Sequence, residues 1–490
     1  MDDIALRSDA LDMDPDEFRR QGHAAIDRIA DFIASPHRWP VLPGINPGDL
    51  RARLPAHAPD AGEAMDRILT DFDDLIMPAT THWNHPGFMA YFGISASGPG
   101  ILGELLAAGL NVNAMLWRTG PAATELEETV LAWLARLMGL PDGLDGTIND
   151  TASSSTLYAL AAARESLSDL KIRELGLAGR ADLPALRFYC SGEAHSSVDK
   201  AVLTLGLGLA GLRRIPTDDR QRMDPAALAA AVSEDRRAGI RPVGVVATVG
   251  TTSTTAVDPV AAIADICEAE GMWLHVDAAY GGAAALLPEL RWIMDGCERA
   301  DSLVVNPHKW MFVPIDCSVL YTRRPDMLKR AFSLVPEYLT TTAPADVRNL
   351  MDYGVSLGRR FRALKLWFVL RHFGADGMRR RLRRHIALAR SFAEWVDAHP
   401  RFERMADRHF SVVAFRFRPA GETREDVLER INMQVLERVN ESGEVFLSHT
   451  KIDGRYALRL AIGNIRTSSV HVERAWQLAR EAAECVTPQA

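Results

Sequence analysis

Between residues 186 and 310 the sequence alternates short β-branched or aromatic runs with helix-like stretches. The runs are "LRFYCSG", "VGVVATVG", "MWLHVDAAY" and "SLVVNP", apolar almost throughout and each ending on small or polar residues. Between them lie "AALAAAV" and "PVAAIADICEAEG", which read as helices. A strand that is apolar on both faces must be covered on both faces, and helical crossovers join parallel neighbours. The pattern therefore predicts an α/β fold, a mostly parallel sheet sandwiched by helices. Ligands of such sheets sit at the carboxyl ends of the strands, so the residues that follow each run are the ones to read for chemistry.

The flanks have a different texture. Residues 14–35 predict an amphipathic helix, with Asp14 as N-cap, Pro15 and Glu17 in the first turn, and Phe18, His23, Ile26, Ile29 and Ile33 at helical spacing. A Pro-rich stretch follows, so this N-terminal piece has no core of its own. "PAATELEETVLAWLARLMGLP" predicts a further helix that begins with a Thr124/Glu127 capping box and ends at Gly139. Beyond residue 385 the chain reads α+β: a strand in "FSVVAFRFRP", a helix in "EDVLERINMQVLERVNESG", and a hairpin turning at Asp453-Gly454 with Tyr456, Leu458, Leu460 and Ile462 on one face. Three parts are expected: a helical N-terminal segment (1–99), a large α/β domain (100–385) and a small C-terminal α+β domain (386–490).

Composition narrows the function classes. The 490 residues carry a net charge of −8, which offers no electrostatic case for nucleic acid or an anionic membrane. The local basic run "MRRRLRRH" at 378–385 reads as the solvated face of a helix. Five scattered cysteines contain no C-x-x-C pair, which argues against a disulfide framework or a cysteine-rich zinc site. The acidic N-terminus lacks the apolar core of a signal peptide, and no run of about 18 apolar residues is present. A cytoplasmic location is the expectation.

The strand ends carry a constellation. "SGEAHSSVDKA" places His195 before a helix; "GTTSTT" supplies small hydroxyls; "WLHVDAAYGG" holds Asp277, with His275 two residues earlier on the same face; "NPHKW" brings Asn306, His308 and Lys309. Upstream, "NDTASSSTLYALAAARE" sets hydroxyl residues before a helix, and a helix N-terminus with free N–H groups is an anion site. A phosphate cradle, a buried carboxylate, an aromatic ring and a lysine between apolar runs suit a phosphorylated, positively charged heteroaromatic aldehyde, pyridoxal 5′-phosphate. Each part has a plainer reading on its own: Lys309 a lysine with buried stem and solvated head, Asp277 a cap or ion-pair partner, His195 a half-buried histidine, "TASSSTL" an N-cap cluster. Their coincidence at the ends of one sheet favours the cofactor. "GLGLAG" matches a dinucleotide fingerprint, but what precedes it reads as a helix rather than the required strand. His195, His275, Asp277 and His308 fit no metallohydrolase spacing, so no metal is expected.

These residues resemble the group II pyridoxal-phosphate decarboxylases, in particular the aromatic L-amino-acid decarboxylase branch. The resemblance rests on "HPGFMAYF", "PAATELE", "EAHSSVDKA", "ATVGTT", "WLHVDAAYGG", "NPHKW", "DCSVLYTR", "LGRRFRALKLWFVLR" and "HVERAW", in the family's order across nearly the whole chain. It implies a fold-type I (aspartate aminotransferase-like) architecture. It also implies PLP-dependent decarboxylation of an L-amino acid, aromatic in type (tryptophan, tyrosine, phenylalanine or DOPA), to the amine and carbon dioxide. Lys309 is then the Schiff-base lysine and Asp277 the partner of the pyridine nitrogen. His195 stacks on the ring with Ala279 on its other face, Ala152, Ser153, Asn306 and His308 surround the phosphate, and Thr252 lies near the ring. Tyr338 corresponds to the loop tyrosine that protonates Cα, where aldehyde-forming relatives have phenylalanine. The family is a homodimer with active sites at the interface, and its N-terminal segment packs on the partner.

The substrate pocket implied by the resemblance comprises Tyr91, Phe92, Gly93, Ile94, Asn113, Met115, Trp117 and Gly358. Here the chain departs from the pattern. Gly93 and Ile94 stand for Pro and Thr, Asn113 and Met115 for an aliphatic residue and Phe, Ser154 and Ser155 for Glu and Ala, and Asp150 for glycine. These changes make the pocket more polar, and they keep two other outcomes open: decarboxylation-dependent oxidative deamination to an aldehyde, or decarboxylation of an acidic or diamino acid. A catalytically silent scaffold is the remaining reading, against which the intact Lys309, Asp277 and Tyr338 argue.

Overall fold

The computed structural model of the chain describes residues 12–334 and 347–486. Helix α1 (Pro15–Ala34) begins as expected, with the Asp14 carboxylate accepting from the backbone N–H groups of Asp16 and Glu17 at 2.9 and 3.3 Å. Its apolar stripe is left largely uncovered among the described residues, with Phe18 64% and Ile26 and Ile29 each 41% exposed. Helix α2 (Gly98–Leu110) is open in the same way along Leu102, Leu105, Leu106 and Leu110. Its other face lies so close to the backbone of Lys365 that a Cβ at Gly103 would come within 2.7 Å of the Lys365 Cα.

Helix α3 (Pro121–Met138) ends at Gly139 in the left-handed region, as expected. Its start corrects the capping-box expectation. Pro121 has no N–H to satisfy and a preset φ, so the helix begins at Pro121 with Gly120 as N-cap. Thr124 and Glu127 consequently fall inside it. The Thr124 hydroxyl donates to the Gly120 carbonyl at 3.1 Å, and the buried Glu127 accepts from Ile148 N at 2.8 Å and from Arg359 at 3.1 Å.

The large sheet is built from β1 (Asp145–Asn149), β2 (Leu186–Ser191), β3 (Leu212–Ile215), β4 (Arg241–Thr248), β5 (Trp273–Asp277), β6 (Ser302–Val305) and β7 (Ser318–Thr322). Their order is β1-β7-β6-β5-β4-β2-β3, and only β7 runs against the rest. The parallel register pairs Thr248 with Asp277 and Asp277 with Val304, which aligns the carboxyl ends of β4, β5 and β6. Helix α4 (Ala152–Glu165) follows β1, α5 (Ser197–Thr204) follows β2, and the single turn α6 (Pro307–Trp310) follows β6. Val245, Val276, Val304 and Val305 are fully or almost fully buried, each burial worth roughly 1.5–3 kcal/mol, and these strands make up the centre of the core.

Helix α7 (Arg362–Ala398), kinked at Gly374, runs through residue 385 and connects this layer to a second sheet. That sheet comprises β8 (Phe402–Arg404), β9 (Val412–Phe417), β10 (Ser448–Ile452) and β11 (Arg455–Ala461), antiparallel in the order β10-β11-β9-β8. Helices α8 (Glu425–Glu441) and α9 (Ser469–Val486) pack on it. Asp453 and Gly454 both take positive φ at the expected hairpin turn. The N-terminal part contributes to this region as well, because Phe88 bridges Phe446 and Met89 joins the second core. The 378–385 arginines are only partly solvated: Arg379 donates to the Leu286 carbonyl and Arg383 pairs with Glu289.

Three buried histidines make stability pH-dependent. Burial lowers His275 to about 4 and His308 and His385 to about 3. Each is neutral in the fold but takes a proton in the unfolded chain below about pH 6.5, so stability is present above that pH and falls as acid is added. The buried Asp258, raised to about 6, acts oppositely between about 6 and its unfolded value near 4, and burial raises Asp145, Asp301, Glu128 and Glu193 in the same sense. The lowered histidines, His85 at about 4 among them, outnumber these carboxyls. The melting temperature is expected to drop steadily between about pH 6.5 and 4; a flat profile would contradict this.

Candidate active site

Lys309 lies in α6, immediately after β6. The turn is short because Pro307 opens it, and Lys309 N closes it on the Asn306 carbonyl at 2.9 Å. The flanking Trp310, Met311 and Phe312 are fully buried. Burial holds the amine below the ordinary lysine range; the Asp277 carboxylate opposes that shift, and the Arg459 guanidinium adds to it. Asp277 ends β5, is 6% exposed, and accepts from Ala279 N at 3.0 Å. His195 stands between β2 and α5, its Nδ1 accepting from Ser197 N at 3.1 Å, which leaves Nε2 to face outward. It is kept below the usual histidine range first by desolvation and then by Lys309, with Asp277 opposing. Lys309, Asp277 and His195 thus lie within one another's fields.

The remaining expected cofactor residues occupy the same strand ends. Ala152 and Ser153 form the first turn of α4, capped by the Thr151 hydroxyl. His308 is buried, its Nδ1 accepting from Cys317 N at 2.9 Å. Thr252 is exposed in the turn after β4, and Ala279 is buried after β5.

Whether pyridoxal phosphate fits can be judged from unsatisfied groups. The buried hydroxyls of Ser191 and Thr248, the last residues of β2 and β4, have no hydrogen-bond partner, and neither does Asn306 Oδ1 after β6. Buried polar atoms without partners are costly, and three of them at neighbouring strand ends fit a polar ligand seated there. Among the described residues no group of three His, Cys, Asp or Glu side chains could hold a metal ion.

The expected pocket residues divide into two groups. Phe92 lies against the lysine, with Nζ 5.0 Å from its ring centroid, and is stacked on Tyr280 at 3.9 Å; Tyr280 in turn stacks on Trp310 at 4.9 Å. Tyr91 is exposed, and Ile94 is half-buried. Gly93 is closely packed, since a Cβ there would approach Gly463 Cα at 3.3 Å. The second group surrounds residues 349–359. Asn113 Oδ1 accepts from Arg359 N at 3.0 Å, Met115 packs with Leu116 and Met351, and Trp117 donates to Glu125. Gly358 faces Asn113, and Asn113 is therefore engaged by the backbone. Tyr338 lies outside the described residues.

Two site residues escaped the sequence reading. Trp83 stacks on Phe88 at 4.3 Å and on the expected pocket residue Tyr91 at 5.8 Å. Arg459 sits on β11 with its guanidinium 4.7 Å from the Phe92 ring, on carbonyls of Ser253 and Tyr91. It is 3% exposed, has no carboxylate partner among the described residues, and its Nη2 is unsatisfied. Its alternation opposite Tyr456 and Leu458 reads as solvent-facing; the signal would have been that this face abuts the large domain.

A parallel sheet whose carboxyl edge presents a lysine held below its ordinary range, a buried carboxylate and unsatisfied polar groups defines an enzyme centre for a carbonyl cofactor rather than a binding module. Residues 47–418 match the family described as the pyridoxal-dependent decarboxylase conserved domain. The chain belongs to this pyridoxal-dependent decarboxylase family and is an amino-acid carboxy-lyase using pyridoxal phosphate. It is 39% identical to tyrosine decarboxylase 4 of Petroselinum crispum over 98% of this chain and 95% of the relative. It is 40% identical to a phenylacetaldehyde synthase of Arabidopsis thaliana over 96% of each. Among solved structures, the Oryza sativa TDC crystallised with PLP and tryptamine superposes with a TM-score of 0.93 at 37% identity, covering 97% of this chain and 99% of that one.

Proposed function

We propose that the protein decarboxylates an aromatic L-amino acid, of the tryptophan, tyrosine, phenylalanine or DOPA type, to the amine and carbon dioxide. The observation that carries this reading is Phe92, whose ring lies 5.0 Å from the Lys309 amine and 4.7 Å from the Arg459 guanidinium and is itself stacked on Tyr280. An aromatic wall beside the reactive amine favours a flat side chain. Bound pyridoxal phosphate supplies the electron sink that accepts the pair left when the carboxylate departs. Lys309, whose amine is held below the ordinary lysine range, is the nucleophile toward its aldehyde. Asp277 would hold the proton on the ring nitrogen, and His195, kept below the usual histidine range, and Ala279 would lie against the ring's two faces. Ala152, Ser153, Asn306 and His308 hold the phosphate, and Thr252 borders the ring. Tyr338 delivers the proton to Cα.

Arg459 offers a fixed donor to a substrate carboxylate. Arg459→Met is expected to raise KM by roughly 10–100-fold, the worth of one charge-assisted hydrogen bond, with a smaller change in kcat. An unchanged KM would remove Arg459 from substrate binding.

A homodimer completes the site in this reading. The open leucines of α2 and the exposed stripe of α1 are the surfaces a second copy would cover. The second group, Asn113, Met115, Trp117 and Gly358, then serves as the wall lent to the partner's pocket. The three-part division at residues 99 and 385 and a cytoplasmic location belong to the same proposal; no described helix is long and apolar enough to cross a membrane. The aldehyde-forming alternative is favoured by the likeness to a phenylacetaldehyde synthase. Tyr338→Phe is expected to divert turnover from amine toward aldehyde, ammonia and peroxide; amine formation unaffected by it would remove Tyr338 from protonation.

A further inference from the structure

A cavity of about 860 Å³ that Lys309 does not line lies apart from the active site. It lies between the N-terminal stretch Pro36–Pro40, the turn at His85-Pro86, the turn at Ser442–Val445 and the start of α9. The Val41 N–H donates to the Gly443 carbonyl at 2.7 Å and ties its floor. Its lining is cationic. Glu444 is the single carboxylate, and Arg474 already occupies it at 2.7 and 2.9 Å.

Three side chains there lack counterparts. Arg466 has only neutral acceptors, Asn84 Oδ1 at 3.2 Å and the Ala96 carbonyl at 3.4 Å, and burial alone lowers its pKa. His85 is 5% exposed; its Nδ1 accepts from Gly87 N at 2.9 Å, and Nε2 has no partner among the described residues. His471 is fixed through Nδ1 by Ser468 at 2.8 Å, which likewise leaves Nε2 free. The N-terminus of the 18-residue α9 opens on the same space through Val470 and His471, and its dipole favours negative charge. A half-buried arginine without a carboxylate and two histidines with a free ring nitrogen, all three judged among the described residues, and a helix N-terminus require the same complement.

We propose that this cavity is a second ligand site, distinct from the Lys309 centre, that takes a small multivalent oxyanion of the phosphate class on Arg466, His85 and His471. The groups facing it from the N-terminal side are His37, Arg38 and His82, and from the C-terminal side Glu444 and Arg474, with the Arg384 charge acting on His471. In the free cavity His85 is held at about 4, first by burial and then by His471, His82 and His37. An anion raises the histidines, so binding takes up protons and strengthens as pH falls.

The test is calorimetric titration of inorganic phosphate, and separately pyrophosphate, into holoenzyme whose cofactor site is saturated and freed of excess. Saturable binding of one anion per chain is expected at about pH 6.5, weakening by at least about tenfold at about pH 8. Arg466→Gln should abolish it with the cofactor's visible band unchanged. His37→Gln, at an exposed rim position, should weaken it several-fold and serves if the buried variant does not fold. Absence of saturable binding at about pH 6.5, binding that strengthens toward pH 8, or binding unaffected by both substitutions would each overturn the site.

Discussion

Lys309→Ala is expected to lose at least about 10³-fold in decarboxylation and, with it, the visible band near about 420 nm of the lysine-bound cofactor. The size of the effect follows from the surroundings of the amine. Burial among Trp310, Met311 and Phe312 keeps it below the ordinary lysine range, and Asp277 only partly offsets that. No second described lysine shares this position, so nothing nearby replaces the nucleophile. The side chain is only half-buried, and alanine leaves a solvent-reachable gap rather than a closed void, so the fold should survive and the cofactor should still associate through the strand-end polar groups. A variant retaining both the band and more than a few per cent of activity would show that another amine bonds the cofactor.

The second large effect is expected at Asp277. Asp277→Asn keeps the shape and the hydrogen bond to Ala279 N but removes the charge that, in the proposed function, holds a proton on the ring nitrogen, and kcat should fall by about 10²–10³-fold, the range seen when a preorganised electrostatic group is lost. Because Asp277 also opposes the shifts of Lys309 and His195, the substitution should move the pH profile as well as its height. Both groups lose the negative charge that favours their protonated forms, so their titrations move to lower pH. A loss in KM with kcat intact would place Asp277 in binding only.

Much of this was legible in the sequence, for identifiable reasons. Near-continuous apolar runs with polar endings have one stable arrangement, so β2, β4, β5 and β6 and the residues at their ends could be read directly, as could the helix from Asp14 and the hairpin at Asp453-Gly454. The Thr124/Glu127 pair was misread because a capping box and a buried Thr plus a Glu receiving backbone N–H bonds look alike until Pro121 is seen to start the helix. Arg459 was invisible because alternation along a strand shows which residues share a face and not what the face meets. The Arg466 cavity depends on contacts between segments more than 350 residues apart, which no local pattern encodes, whereas Trp83 reaches Phe88 and Tyr91 within eight residues but belongs to none of the motifs that carried the reading.

The central claim is tested most directly by incubating the holoenzyme separately with L-tryptophan, L-tyrosine, L-phenylalanine and L-DOPA and measuring carbon dioxide, amine, ammonia and peroxide together. The account predicts carbon dioxide and amine in equal amounts from at least one of them, with no peroxide. Peroxide and ammonia in step with carbon dioxide, or carbon dioxide release only from acidic or diamino acids, would contradict it.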